Sequence, residues 1–439
     1  MKYDQYKDSG VEWIGEVPSH WEVCRLKNYC SLKARIGWKG LRSDEFEEDS
    51  YAYLVTGQDF GNSKIDWTKC YQINKTRYQE DPYIQLENEN ILITKDGTIG
   101  KIAIVDNLDK PACLNSGVFV LKQKNIFNSN YLYWALCSTL LKDFNTYTSS
   151  GTTILHLYQN VFEEMPLIVP PFSEQQAIAN YLDAKCGEIN RAIDVQKKKI
   201  DLLNELKQTV ITNAVTKGLN PNVPMKDSGV EWIGEVPEHW KVMKTSLAFS
   251  NIGSGTTPST STPKYYDENG AYWLQTGDLT DSIVIDTSKK VTTTAIKECN
   301  LKFYPQNSVV IAMYGATIGK MGLLNIECAT NQACCVLPAK KYVKPKYAFY
   351  YYLSAKSDLL ISAIGGGQPN ISQDVIKKTK ITIPPIIEQQ AIADYLDVKC
   401  EDIDTQISKA NRKIELLDEL KQSIITEAVT GKTKVFNTL

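Results

Sequence analysis

The sequence predicts an α+β protein. Two mixed α/β domains are separated by two long helices that pair as an antiparallel coiled coil, with an internal pseudo-two-fold repeat. Three observations carry this expectation. A long stretch occurs twice, at residues 170–216 and 384–430, and 28 of its 47 aligned positions are identical. A short motif also occurs twice, KDSGVEWIGEVPSHW at 7–21 and KDSGVEWIGEVPEHW at 226–240, identical at 14 of 15 positions. Between each motif and its long stretch lies a region whose two copies share only a skeleton. The order of motif, variable region and long stretch is repeated, which marks a tandem duplication.

The long stretches read as helices from the spacing of their apolar residues. In the first copy these are Ile178, Leu182, Cys186, Ile189, Ile193, Ile200, Leu203, Leu206, Val210 and Ala214. In the second they are Ile392, Leu396, Cys400, Ile403, Ile407, Ile414, Leu417, Leu420, Ile424 and Ala428. Steps of three and four residues make the narrow seam of a packed helix rather than a broad surface stripe. Each helix should run about 40 residues, roughly 60 Å. A helix of that length needs a partner, and the other copy is at hand. Antiparallel pairing is expected, because parallel pairing would need a very long return path. Pro170-Pro171 and Pro384-Pro385 open the helices, with Glu174 and Glu388 in the first turn, where a carboxylate suits the helix dipole. Lys217-Gly218 and Gly431-Lys432 supply stop signals. Only Gly187 interrupts the first copy.

The variable regions, about residues 23–168 and 242–383, read as mixed α/β domains. Residues 90–94 (NILIT) and 308–312 (SVVIA) suggest strands, and 130–141 and 346–360 suggest helices with aromatic faces. The shared skeleton is visible in two places. Thr56-Gly57-Gln58-Asp59 matches Thr276-Gly277-Asp278, and Thr98-Ile99-Gly100-Lys101 matches Thr317-Ile318-Gly319-Lys320. Each region ends in a polar, Gly-bearing segment, SSGTTILH at 149–156 and GGGQPNIS at 365–372.

Composition narrows the class of function. The chain has 439 residues, 43% hydrophobic and 23% charged, enough to build more than one core. A net charge of −2 leaves any nucleic-acid binding to local positive surface or to partners. No apolar run approaches bilayer length and the N-terminus does not read as a signal peptide, so a cytoplasmic location is expected. Eleven cysteines, none in metal-binding spacing, read as small hydrophobes, and three histidines make a His-rich site unexpected. There is no phosphate-binding glycine loop, and Asp81-Pro82-Tyr83 lacks the second proline of an amino-methyltransferase motif.

Together the PPxxEQQAIAxYLDxK openings of both helices, the GVEWIGEVPxHW motif before both variable regions and the duplicated order resemble the specificity subunits of type I restriction-modification systems. The resemblance covers essentially the whole chain. It implies a domain plan: target recognition domain 1 at 1–169, a spacer helix at 170–218, target recognition domain 2 at 219–383, a second spacer helix at 384–432 and a tail at 433–439. It implies a non-catalytic DNA-recognition subunit without cofactors of its own. Its partners would be double-stranded DNA, two methylation subunits that bind S-adenosylmethionine, and restriction subunits that bind ATP and Mg. Each domain would read half of an asymmetric interrupted site. A coiled-coil scaffold without DNA binding, and an enzyme hidden in the variable regions, stand as alternatives.

Within that frame the residue readings divide. Trp13, Trp21, Trp232 and Trp240 belong to the repeated motif and read as packing residues rather than base-stacking ones. Shared loop residues should shape turns or touch phosphates, since phosphate contacts position and base contacts specify. Candidates of this kind are Gln58, Thr98, Lys101, Thr317 and Lys320. Segments that differ between the domains could face bases: Ser150, Thr152 and Thr153 in one, Gly366, Gln368 and Asn370 in the other. Gln368 and Asn370 have the amide chemistry that pairs with adenine edges. Lys197–Lys199 and Lys377-Lys378 read as solvated faces.

Overall fold

A computed structural model describes residues 2–35, 41–61, 63–124, 126–148, 157–362 and 370–435. Ser150, Thr152, Thr153, Gly366 and Gln368 lie outside them. The chain divides into two compact units: Met1–Gln196 with Asn411–Leu439, and Lys197–Ala410. The division falls within both long helices, Phe172–Lys217 and Ile386–Val429.

The two units share a core topology and differ at their sheet edges. In the first, the motif folds as a hairpin, Tyr6–Asp8 with Glu16–Pro18, and strand Glu22–Arg25 pairs antiparallel with Pro166–Val169. In the second, the same places are taken by Met225–Asp227 with Glu235–Pro237, and by Lys241–Lys244 with Lys380–Ile383. Each unit then holds two sheets. One orders Cys30–Ala34, Val118–Gln123, Ile91–Thr94 and Ile102–Ile104 in the first unit. In the second, Met321–Leu324, Ser308–Ala312 and Cys334–Pro338 take the places of Ile102–Ile104, Ile91–Thr94 and Val118–Gln123, but the fourth strand, Ser282–Val284, pairs in parallel with Met321–Leu324 at the edge opposite to that of Cys30–Ala34. The other sheet joins Ala52–Val55 to Ala112–Leu114 in parallel, and Tyr266–Leu274 to Cys328–Thr330 in parallel. The central strands are buried on both faces, so they read as continuous apolar runs rather than alternating ones.

The aromatic helices differ from the expectation of one element each. Ser129–Cys137 is followed by Thr139–Thr148, and Pro345–Ser354 by Lys356–Ile361. At the first break the Ser138 hydroxyl donates to the Ala135 carbonyl and accepts from the Leu140 N–H, replacing helical bonds. Tyr131, Tyr347, Tyr351 and Tyr352 are fully buried, and their hydroxyls find backbone carbonyl or threonine partners.

The long helices run antiparallel inside each unit. In the first, Glu174 near the start of one helix and Gly431 at the end of the other both meet Trp21, while farther along Lys421 donates to Asn190 at 2.8 Å. In the second, Gly218 and Glu388 both meet Trp240, and Lys207 pairs with Asp404 at 2.7 Å. Ile178, Leu182, Ile189, Ile193, Leu203, Ile392, Leu396 and Ile403 are buried. Ile200, Ile407, Ile414 and Leu417 are half-buried. Each fully buried apolar side chain contributes about 1.5–3 kcal/mol. Leu206 and Leu420 depart from the expected seam, each 49% exposed. The seam turns instead through Ile211 and Val215, and through Ile425 and Val429, which enter the unit cores. A straight helix drifts off a strict heptad and carries these leucines outward.

The repeated signatures fasten helix to domain. Glu174 accepts from Trp21 Nε1 at 2.9 Å, His20 Nε2 at 2.7 Å and Tyr3 at 3.0 Å. Glu388 accepts from Trp240 Nε1 at 2.8 Å and His239 Nε2 at 2.7 Å. Buried Gln389 accepts from the Lys344 N–H and donates to the Tyr342 and Pro384 carbonyls. Gln175 does the same with Asn128, Ile126 and Pro170. Gly218 and Gly431, at φ +75° and +72°, end the helices beneath the two tryptophans, as the stop signals predict. The tryptophans of the motif are packing residues: Trp21 and Trp240 are buried, and Trp13 and Trp232 pack partly buried on the cores. All eleven cysteines are free, and burial pushes the Cys186 thiol in the seam up to about 11. No described helix is long and apolar enough to cross a membrane.

Candidate nucleic-acid interface

In each unit the ends of the parallel strand pair gather several loops around one asparagine. In the first unit the Asn115 N–H donates to the Val55 carbonyl at 2.9 Å, where the turn 56–59 begins. Two residues on, the Gly117 carbonyl accepts from the Lys95 N–H of the hairpin 94–101 at 2.9 Å. In the second unit the Asn331 N–H donates to the Leu274 carbonyl at 3.0 Å, and its own carbonyl accepts from the Gly255 N–H at 3.2 Å. The Ala333 carbonyl accepts from the Met313 N–H at 2.8 Å. The shared segments found in the sequence therefore meet in space.

The turns are built by aspartate rather than by the Thr-Gly pair. Asp59 accepts from the Thr56 N–H at 2.6 Å and hydroxyl at 2.9 Å. Asp278 accepts from the Gln275 N–H at 2.8 Å. Equivalent residues are thus Thr56 with Gln275 and Asp59 with Asp278, and the Thr-Gly pairs sit one residue out of register. Burial raises the Asp59 carboxyl above its ordinary range, although the Thr56 bonds act the other way. Gly57 lies against Thr94, where a Cβ would come within 2.7 Å of Cγ2, so turn and hairpin abut. Gln58 stands exposed at the tip.

The T-I-G-K segments are hairpin turns between antiparallel strands. Gly100 and Gly319 hold φ +82° and +74°, a backbone that favours glycine. The Thr94 hydroxyl donates to the Thr98 carbonyl at 2.5 Å and accepts from the Lys101 N–H at 2.9 Å. The Lys320 N–H donates to the Thr317 carbonyl at 2.9 Å. Ile99 and Ile318 turn inward onto the cores. Thr98 and Lys101 are exposed. Lys320 is engaged: Asp281 accepts from its Nζ at 3.0 Å and from Lys356 Nζ at 2.9 Å. Burial opposes ionisation of Asp281, but hydrogen bonds from Lys356, Lys320 and the Met321 N–H hold its carboxyl below the ordinary range. Asn370 is exposed and pairs with Tyr314 of the second hairpin. Among the candidates, Thr317, Lys320 and Asn370 thus share one loop cluster, and Gln58, Thr98 and Lys101 share its counterpart.

Sequence reading passed over Asn115-Ser116 and Asn331-Gln332. The available signal was an asparagine repeated directly after a buried strand in both halves. Arg35 was also passed over. It is buried, with Nε–H donating to the Leu114 carbonyl at 2.9 Å and Nη2 to Cys113 Sγ at 3.4 Å, and among the described residues its Nη1 has no hydrogen-bond partner. Among the described residues no group of three or more His, Cys, Asp and Glu side chains gathers as a metal site.

A family model described as type I restriction modification DNA specificity domain matches residues 18–205 and 237–416. The specificity subunit of the type I restriction enzyme MjaVIII from Methanocaldococcus jannaschii is 28% identical over 96% of this chain and 95% of its own length. The EcoKI specificity subunit of Escherichia coli K12 is 20% identical over 95% of this chain and 90% of its own. A solved chain, from work on complex assembly and conformational transition of the type I R-M system, superposes with a TM-score of 0.70. That alignment has 16% identity and covers 95% of this chain and 99% of the other. With the family model matching both halves of the duplication, the chain belongs to the type I restriction-modification DNA specificity family.

Proposed function

We propose that this chain is the non-catalytic DNA-reading subunit of a type I restriction-modification complex. Each unit reads one half of an asymmetric, interrupted site, and the helix pair sets the gap between the halves. One observation carries the reading. The two units share a core topology and the backbone bonds that gather their loops, yet carry different side chains on those loops. Two readers built alike but dressed differently suit two different half-sites at a fixed separation. Exposed Lys101 fits a phosphate contact, which positions without specifying, whereas its counterpart Lys320 is held by Asp281.

Methyl transfer then belongs to two methylation subunits that bind S-adenosylmethionine, and cleavage to restriction subunits that bind ATP and Mg. The outer faces of the helices fit the docking of methylation subunits. Leu202 and Leu206 stand 65% and 49% exposed, and the repeat places Leu416 and Leu420 at 48% and 49%. An exposed apolar pair one helical turn apart, repeated on both helices, is available to a partner. The test is methylation mapping with the assembled complex. Exchanging residues 23–168 for those of a relative should change one half of the methylated motif and leave the other. Four residues inserted within 189–206 should lengthen the tolerated gap. Methyl transfer by the purified chain alone, or a motif unmoved by the exchange, would overturn the proposal.

A further inference from the structure

The loop clusters of the two units are gathered by equivalent backbone bonds but differ at their centre. The residue after the hub asparagine is Ser116 in the first unit and Gln332 in the second. The strip that crosses this point also differs. In the first unit it is Arg35, bonded to the Leu114 carbonyl. In the second it is Gly255-Thr256-Thr257, bonded to Asn331.

The second strip is tightly held. Gly255 is pressed on the backbone, where a Cβ would lie 1.8 Å from the Thr330 carbonyl oxygen. The Thr256 carbonyl accepts from Nε1–H of buried Trp273 at 3.1 Å, and the Pro258 carbonyl accepts from the Tyr266 hydroxyl at 2.7 Å. The residue between these anchors is Thr257, and its hydroxyl donates to Gln332 Oε1. Both side chains are exposed, so this bond points an amide into open space from a rigid base. Gln332 lies one residue from Ala333, which the hairpin of Lys320 grips. It therefore stands at the centre of the loop cluster rather than at its rim.

We propose that Gln332 is a base-reading side chain of the second unit and that Thr257 is its positioning residue. The inference rests on the DNA-reading function proposed above. With Oε1 accepting from Thr257, the exposed amide keeps its NH2 donors and one Oε1 lone pair for a base edge. That donor and acceptor pair matches the N7 and N6 edge of adenine in the major groove. An oriented neutral amide adds discrimination without phosphate attraction, so its loss should leave the salt dependence of binding unchanged. Pre-orientation matters because a side chain already in its reading rotamer loses less entropy on binding.

The test uses the complex assembled with its methylation subunits. Methylation mapping with the wild-type complex gives the motif. Competition binding then ranks duplexes in which each base pair of that motif is replaced in turn. Gln332→Ala should reduce discrimination at one position of one half-site by about tenfold to a hundredfold. The other half-site, the gap and the salt slope should be unchanged. Thr257→Val, nearly isosteric, should give a smaller loss at the same position. Unchanged ratios for Gln332→Ala, a loss spread over all positions, or an altered salt slope would overturn the proposal. Unchanged ratios for Thr257→Val would overturn the positioning role. A wild-type complex with no preferred interrupted sequence would instead sink the proposed function.

Discussion

At the scale of the residue, the loop segments shared by the two halves divide into residues that build turns and residues that stand exposed. Asp59 and Asp278 build turns, Gly100 and Gly319 close hairpins, and Lys101 stands exposed. Lys320 is bound to Asp281, 39 residues away in the chain, and no local pattern could have announced that pairing. The pairing has a pH signature. The folded-state carboxyl of Asp281 is depressed, so its contribution to stability is present above the unfolded carboxylate range and is lost as pH falls through the folded value. Asp281→Asn should therefore lower the midpoint of thermal unfolding at pH 7, and the gap to wild type should close below about pH 4. Calorimetry across that range checks it, and a gap that widens on acidification would contradict the assignment.

At the scale of the element, the helices were the most legible part of the sequence, because their apolar spacing continues for many turns and recurs. Their contact with the domains was less so. Gln175 and Gln389 were visible only as a repeated motif, yet each side chain is buried and bonded to three backbone groups. The strands were legible as short apolar runs, whereas the loop clusters were not, since they assemble from segments far apart in the chain. Gly187 gives a sharp test of helix energetics. Its counterpart in the second helix is Glu401, and a Cβ at 187 would meet only Arg191 Nη1, at 3.9 Å. Gly187→Ala should stabilise the protein by about 0.5–1 kcal/mol. Denaturant unfolding with an unchanged slope would register it.

At the scale of the whole molecule, the duplication gives each long helix the same pair of exposed leucines, so the docking proposed above is tested twice. Leu202 with Leu206 and Leu416 with Leu420 are repeats of one pair. Replacing Leu416 and Leu420 by lysine should weaken one of two docked methylation subunits and spare the other, which native mass spectrometry would report as a shift toward one copy per complex. The same change at Leu202 and Leu206 should weaken the other copy, and the four changes together should weaken both. Two copies retained in the fourfold variant would move the docking surface elsewhere.

The clasp of Gly431 beneath Trp21 sets an order of birth. The second unit is one continuous segment, but the first needs residues from both ends of the chain. During synthesis the second unit can close while the first still waits for its last helix. Until then Ile178, Leu182 and Cys186 have no Ile425, Ala428 or Val429 to cover them. The half that is made first is therefore finished last. A released chain truncated after residue 410 should protect the second unit from protease and leave the first open to it.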